Sequence, residues 1–182
     1  MERIFSLTRI SSIFLLFLVL VSCSGSKAFV VTPEPTLEQQ TAISKDICMQ
    51  KYLWLFSGKR PCVYFKAERD NGTGAINYFL LYEIGTFDVD IPIGVSLKLG
   101  ETWYNLKKTN TDYSDTIIVT SALTQEMLPK IGENQNITIS YTNRKETINY
   151  QLNGDQTAKF QSNLSKLIRV IESEPKLNIN KR

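Results

Sequence analysis

The stretch Ile137-Thr138-Ile139-Ser140-Tyr141-Thr142-Asn143-Arg144-Lys145-Glu146-Thr147-Ile148-Asn149-Tyr150-Gln151-Leu152 decides how this chain folds. Ile137, Ile139 and Tyr141 alternate strictly with polar neighbours, and so do Ile148, Tyr150 and Leu152. A period of two is the side-chain repeat of a strand, and Asn143 to Lys145 have the chemistry of a hairpin turn between two strands. The consequence is antiparallel sheet. Working outward, Val63, Phe65 and Ala67 alternate with Tyr64 and Lys66, and Asn71-Gly72-Thr73-Gly74 supplies a turn. Ala75 to Ile84 is apolar on nearly both faces, as expected of a central strand covered on two sides. Asp115 to Thr120 offers another strand through Ile117, Ile118 and Val119.

Two short helices interrupt the strands. Ser121 is expected to cap the first, which carries Leu123, Met127, Leu128 and Ile131 and which Pro129 must end or distort. The second follows Asn153-Gly154, with Asp155 as its cap and Phe160, Leu164, Leu167, Ile168 and Ile171 at helical spacing, until Pro175 stops it. Its apolar face is expected to pack on the core. Between Leu37 and Cys48 the spacing of Leu37, Ile43 and Ile47 permits a further helix.

Composition narrows the chemistry. The 182 residues include 21 Lys+Arg, 18 Asp+Glu, three cysteines and no histidine. Histidine-dependent nucleophile pairs and His-ligated metal sites are thereby excluded. A net charge of +3 announces no nucleic-acid partner. Hydrophobic residues at 42% and charged residues at 21% describe an ordinary globular protein.

The N-terminus reads as an address. Arg3 and Arg9 form a positive region, Ile13 to Val21 is an unbroken apolar run, and small Ser22 precedes Cys23. The run is shorter than the ~20 residues a membrane-spanning helix needs, but it fits an export signal. Leu20-Val21-Ser22-Cys23 resembles a bacterial lipobox, which implies cleavage before Cys23 and acylation of that cysteine with diacylglycerol and a further chain such as palmitate. Several acyl chains on one residue give stable anchoring. The expected organisation is therefore a lipoprotein signal peptide over 1–22, a lipidated tether over 23–36 and a β-rich domain over 37–174, followed by a flexible tail over 175–182. Ser24 stands where an Asp would favour inner-membrane retention by the enteric sorting rule, so the outer membrane is expected.

The two remaining cysteines, Cys48 and Cys62, close a loop of 15 residues counting both ends. In an oxidising compartment a disulfide is the favoured reading. Two buried thiols or a redox pair are the alternatives. The loop carries Trp54, Lys59 and Arg60, and aromatic and Arg side chains dominate binding hot spots, so these three are candidate partner-binding residues. The opposing reading packs Leu53, Trp54 and Leu55 inward.

The segment Ile91-Pro92-Ile93-Gly94-Val95-Ser96-Leu97-Lys98-Leu99-Gly100 resembles the "LPLGV-L-PPG" signature of the invasion-associated locus B family of exported bacterial proteins. The order of the following elements, a short strand near Trp103 to Leu106 and the late Leu152-Asn153-Gly154, is similar too. The early cysteine pair of the family corresponds to Cys48 and Cys62. A second pair expected near Tyr113 to Val119 is missing, and the phenylalanine after the late glycine is displaced to Phe160. The resemblance covers roughly residues 46–168. It implies a β-sandwich-like antiparallel domain with small helices, a role in host-cell invasion or envelope biology, and no catalytic residues. Read without it, Pro92 and Gly94 mean a strand start and a tight turn.

Candidate acid/base pairs without histidine are Asp88 with Asp90 and Asp112 with Asp115, and solvated loop carboxylates are the alternative reading for both. There is no Gly-x-Ser-x-Gly elbow, phosphate-cradling loop or calcium-loop pattern. No cofactor or metal is expected. Asn71, Asn136 and Asn163 begin Asn-x-Ser/Thr sequons, and the chain ends in basic Lys181-Arg182. Together these readings predict a non-catalytic lipoprotein at the cell surface that binds host proteins such as extracellular matrix, plasminogen or complement regulators. A periplasm-facing assembly or stress factor is the alternative, and a carboxylate-based hydrolase a remoter one.

Overall fold

The computed structural model describes residues 30–34, 39–49, 61–84 and 90–173. In chain order the elements are β1 (Val30–Glu34), β2 (Gln39–Ile43), β3 (Ile47–Cys48), β4 (Cys62–Asp70), β5 (Ile76–Ile84), β6 (Pro92–Leu99), β7 (Thr102–Asn105), β8 (Lys107–Tyr113), β9 (Ile117–Leu123), helix α1 (Met127–Glu133), β10 (Ile137–Asn143), β11 (Thr147–Gln151) and helix α2 (Gly154–Ser173). They form a mainly β domain of two antiparallel sheets. One runs β1-β2-β4-β5-β9-β8 with β3 beside β4, and the other runs β11-β10-β6-β7.

The period-two pattern explains both sheets. Phe65 of β4 pairs with Leu80 of β5, which pairs with Ser121 of β9, so one alternating set of side chains makes a continuous buried face. In the smaller sheet Ile139 pairs with both Leu97 and Tyr150, and the same rule holds. The two inner faces meet where the rings of Tyr82 and Tyr141 stack at 4.9 Å, nearly parallel at 6°. Farther along the larger sheet, α2 supplies the cover. Thr157, Phe160, Leu164, Leu167 and Ile171 recur every three or four residues and are all buried, with Phe160 4.5 Å from Phe65. α1 is tied to α2 by Gln161, whose Nε2 donates to the carbonyls of Ile131 and Asn134 at 3.0 and 2.7 Å.

The hairpins close as their residues demand. Asp70 accepts the Thr73 amide at 2.6 Å and its hydroxyl at 3.0 Å, bonds that hold the Asp70 carboxyl below its ordinary pKa. Asn143 Oδ1 accepts the amides of Lys145 and Glu146 across the β10–β11 turn.

Several elements differ from the sequence reading. Gln39–Ile43 and Ile47–Cys48 are strands where a helix was permitted, because Gln40 and Ala42 alternate inward onto β4. Val30–Glu34, within the stretch read as a tether, pairs with β2 as an edge strand, a position where Pro33 costs no interior ladder bond. Ser121 caps nothing; it is fully buried in β9, which continues to Leu123. α1 starts at Met127 and places Pro129 in its first turn, where an amide hydrogen has no partner to lose. The cap of α2 is Asn153, two residues before Asp155. Its Oδ1 accepts the Gln156 amide at 2.9 Å while Gln156 Oε1 accepts the Asn153 amide at 3.1 Å, a reciprocal capping box. Pro92 begins β6 as expected, but Gly94 lies within that strand; the tight turn falls at Gly100, whose φ of 61° suits glycine.

Candidate functional site

The disulfide predicted between Cys48 and Cys62 is present, and strand pairing explains it. The two residues sit directly opposite each other on β3 and β4, with Cα atoms 3.9 Å apart. The Met49 amide donates to the Pro61 carbonyl at 3.0 Å, carrying the pairing one step beyond the bridge. α2 braces this corner from behind. Gln156 Nε2 donates to the Cys48 carbonyl at 3.2 Å and Asn163 Nδ2 to the Lys45 carbonyl at 2.9 Å. Asp46 Oδ2 lies 3.3 Å from Cys48 Sγ. Because both sulfurs are committed to each other, Asp46, Cys48 and Cys62 offer a metal only one free ligand while the bridge stands. Both ends of the loop between the cysteines are thus tied to the larger sheet. The candidate binding residues Trp54, Lys59 and Arg60 lie outside the described residues, as does Cys23.

The candidate carboxylates have unrelated settings. Asp88 falls outside the described residues. Asp90 precedes β6 and is bound by Lys145 Nζ at 2.7 Å. Asp112 is exposed in β8 at the edge of the larger sheet, and Asp115 is exposed in the turn after it. Asp112 bears on a different group. Tyr64, half-buried on the outer face of that sheet, has its hydroxyl pushed up to about 12 by burial and by the charges of Glu83, Asp112 and Asp46.

The outer face of the smaller sheet is a second candidate. Register aligns Gln151 of β11 and Lys98 of β6 on either side of Thr138, with Trp103 of β7 beyond Lys98. The next row aligns Asn149, Ser140, Ser96 and Asn105. A third pairs Thr147 and Thr142, whose hydroxyls are 3.0 Å apart. The Ser96 hydroxyl donates to Asn105 Oδ1 at 2.8 Å, and Lys98 Nζ lies 3.3 Å from Glu101 Oε2. Trp103 is 48% exposed on this face, a large fraction for an indole. Its strand neighbour Tyr104 turns the other way, half-buried, with Lys130 Nζ 5.1 Å over its ring. The alternation was present in the sequence, but the alignment of these side chains across four strands is a property of register.

Comparison with known protein families, with curated proteins and with solved structures finds no match to this chain.

Proposed function

We propose that this protein is an outer-membrane lipoprotein, held by acyl chains on Cys23, whose β-rich domain binds proteins of a host or of the envelope and performs no catalysis. The observation that carries the reading is the N-terminal run Ile13 to Val21 closing on Leu20-Val21-Ser22-Cys23. The Cys48–Cys62 disulfide supports export, since such bridges persist in oxidising compartments and are rare in the cytosol. Among the described residues no helix is long and apolar enough to cross a membrane. The resemblance of residues 91–100 to the invasion-associated locus B family favours a host-directed role, with matrix proteins, plasminogen or complement regulators as targets. The loop carrying Trp54, Lys59 and Arg60 is the proposed contact.

Labelling of producing cells with a palmitate analogue tests the anchor. The full chain is expected to take up label and stay with membranes, and Cys23→Ala to lose the label and leave them. Equal label on Cys23→Ala overturns the anchor. Protease added to intact cells then separates the two orientations: digestion of the domain supports the surface reading, and protection favours a periplasm-facing envelope factor.

A further inference from the structure

We infer that the outer face of the four-stranded sheet β11-β10-β6-β7 is a binding platform for a neutral glycan, with the Trp103 indole as its stacking anchor. The face is polar, and its composition selects among ligands. A stable protein partner wants an apolar centre, and within the aligned rows Trp103 is the one large apolar side chain; Ile93, also exposed, lies at the opposite end of β6. A polyanion wants several cations, and the one lysine in the aligned rows, Lys98, is offset by Glu101. What remains on offer is uncharged. Asn105, Asn149 and Gln151 are exposed amides that both donate and accept, with the partly exposed hydroxyls of Thr138 and Ser96 between them and Ser140 buried.

Pyranose rings present the complementary chemistry, with hydroxyls around the rim and C–H groups on the face. The C–H face lies against the electron-rich face of an indole, and the rim hydroxyls pair with side-chain amides. Spacing fits as well. Strands about 4.8 Å apart, with same-face residues about 7 Å apart along each strand, set the polar groups on a grid of roughly sugar-ring dimensions. The row from Trp103 to Gln151 crosses all four strands, about 14 Å, which is the reach of a short oligosaccharide. The face is pre-formed by its ladders, so little ordering opposes binding.

The test uses the full chain, purified in a detergent without a sugar headgroup and titrated with neutral tetrasaccharides of N-acetylglucosamine, glucose, galactose and mannose. Amide and indole proton–nitrogen resonances are followed by NMR. Saturable shifts with at least one sugar are expected, confined to Trp103 Nε1–H and the side-chain amides of Asn105, Asn149 and Gln151. Trp103→Ala should weaken that binding by at least about tenfold, as loss of a central anchor does. Trp103→Phe, which keeps a ring, should retain part of it and controls for folding. Absence of saturable binding to all four sugars at millimolar concentration overturns the inference. So does binding that is unchanged in Trp103→Ala, or tighter, salt-sensitive binding of a sulfated tetrasaccharide.

Discussion

Tyr64 is an ordinary core-sheet tyrosine in an unusual electrostatic setting. Its ring lies half-buried on the outer face of the larger sheet, and Glu83, Asp112 and Asp46 all place negative charge near its hydroxyl. Burial and repulsion both disfavour the phenolate, and its pKa rises from 10.0 to about 12. Below pH 10 the folded and unfolded chains both hold this proton, so the group adds no slope. Between pH 10 and about 12 the unfolded chain releases the proton while the folded chain keeps it, and stability falls as pH rises. Tyr78 adds to the same slope, its pKa raised by burial and by Glu172. Tyr64→Phe removes one of the two groups. Its urea midpoint is expected to decline less steeply between pH 10 and 12 than that of the natural chain, with little difference at neutral pH. Identical slopes would show that Tyr64 titrates normally.

At the scale of elements, α2 illustrates what a sequence discloses and where it stops. Its stripe from Thr157 to Ile171 is long and periodic, and the helix was readable from it. Its start was misplaced because Asp155 and Asn153 are both good caps, and only the Gln156 pairing chooses between them. Asn153→Ala should cost about 1 kcal/mol of stability in denaturant unfolding. Phe160→Ala, which leaves a cavity against Phe65, should cost about 3–5 kcal/mol. A smaller loss at Phe160 than at Asn153 would refute the assignment of α2 as cover for the sheet. The strands β4, β5, β10 and β11 were readable for the same reason as the helix: one buried face imposes a period. β8 was not, since an edge strand with Lys107-Lys108-Thr109-Asn110 buries almost no side chain and leaves no period to read. β2 is so short that two inward residues, Gln40 and Ala42, carry its whole pattern. The disulfide was readable from loop length and compartment. The aligned rows around Trp103 were not, because pairing partners are invisible in any one strand.

For the molecule as a whole, one buried cluster joins both sheets and both helices, from Phe65 and Tyr82 through Leu97 and Tyr141 to Ile131 and Phe160. A shared core of this kind unfolds as a unit, and the disulfide lies at its margin, between the two-residue strand β3 and the start of β4. In the chain-entropy description a loop of this length contributes about 3 kcal/mol by restricting the unfolded chain. Domains of this size hold about 5–15 kcal/mol in total, so removal of the bridge should weaken the fold and leave it standing. The double variant Cys48→Ala with Cys62→Ala is therefore expected to keep its far-ultraviolet circular dichroism at 25 °C and to unfold in one transition. Its free energy of unfolding should be lower by about 3 kcal/mol. The slope against urea should rise a little, because the unbridged unfolded chain exposes more surface. Loss of the native spectrum would mean that the bridge, and not the shared core, holds β3 and the larger sheet together. Two separate transitions would mean that the sheets fold independently, and the stacking of Tyr82 on Tyr141 would then contribute little to joining them.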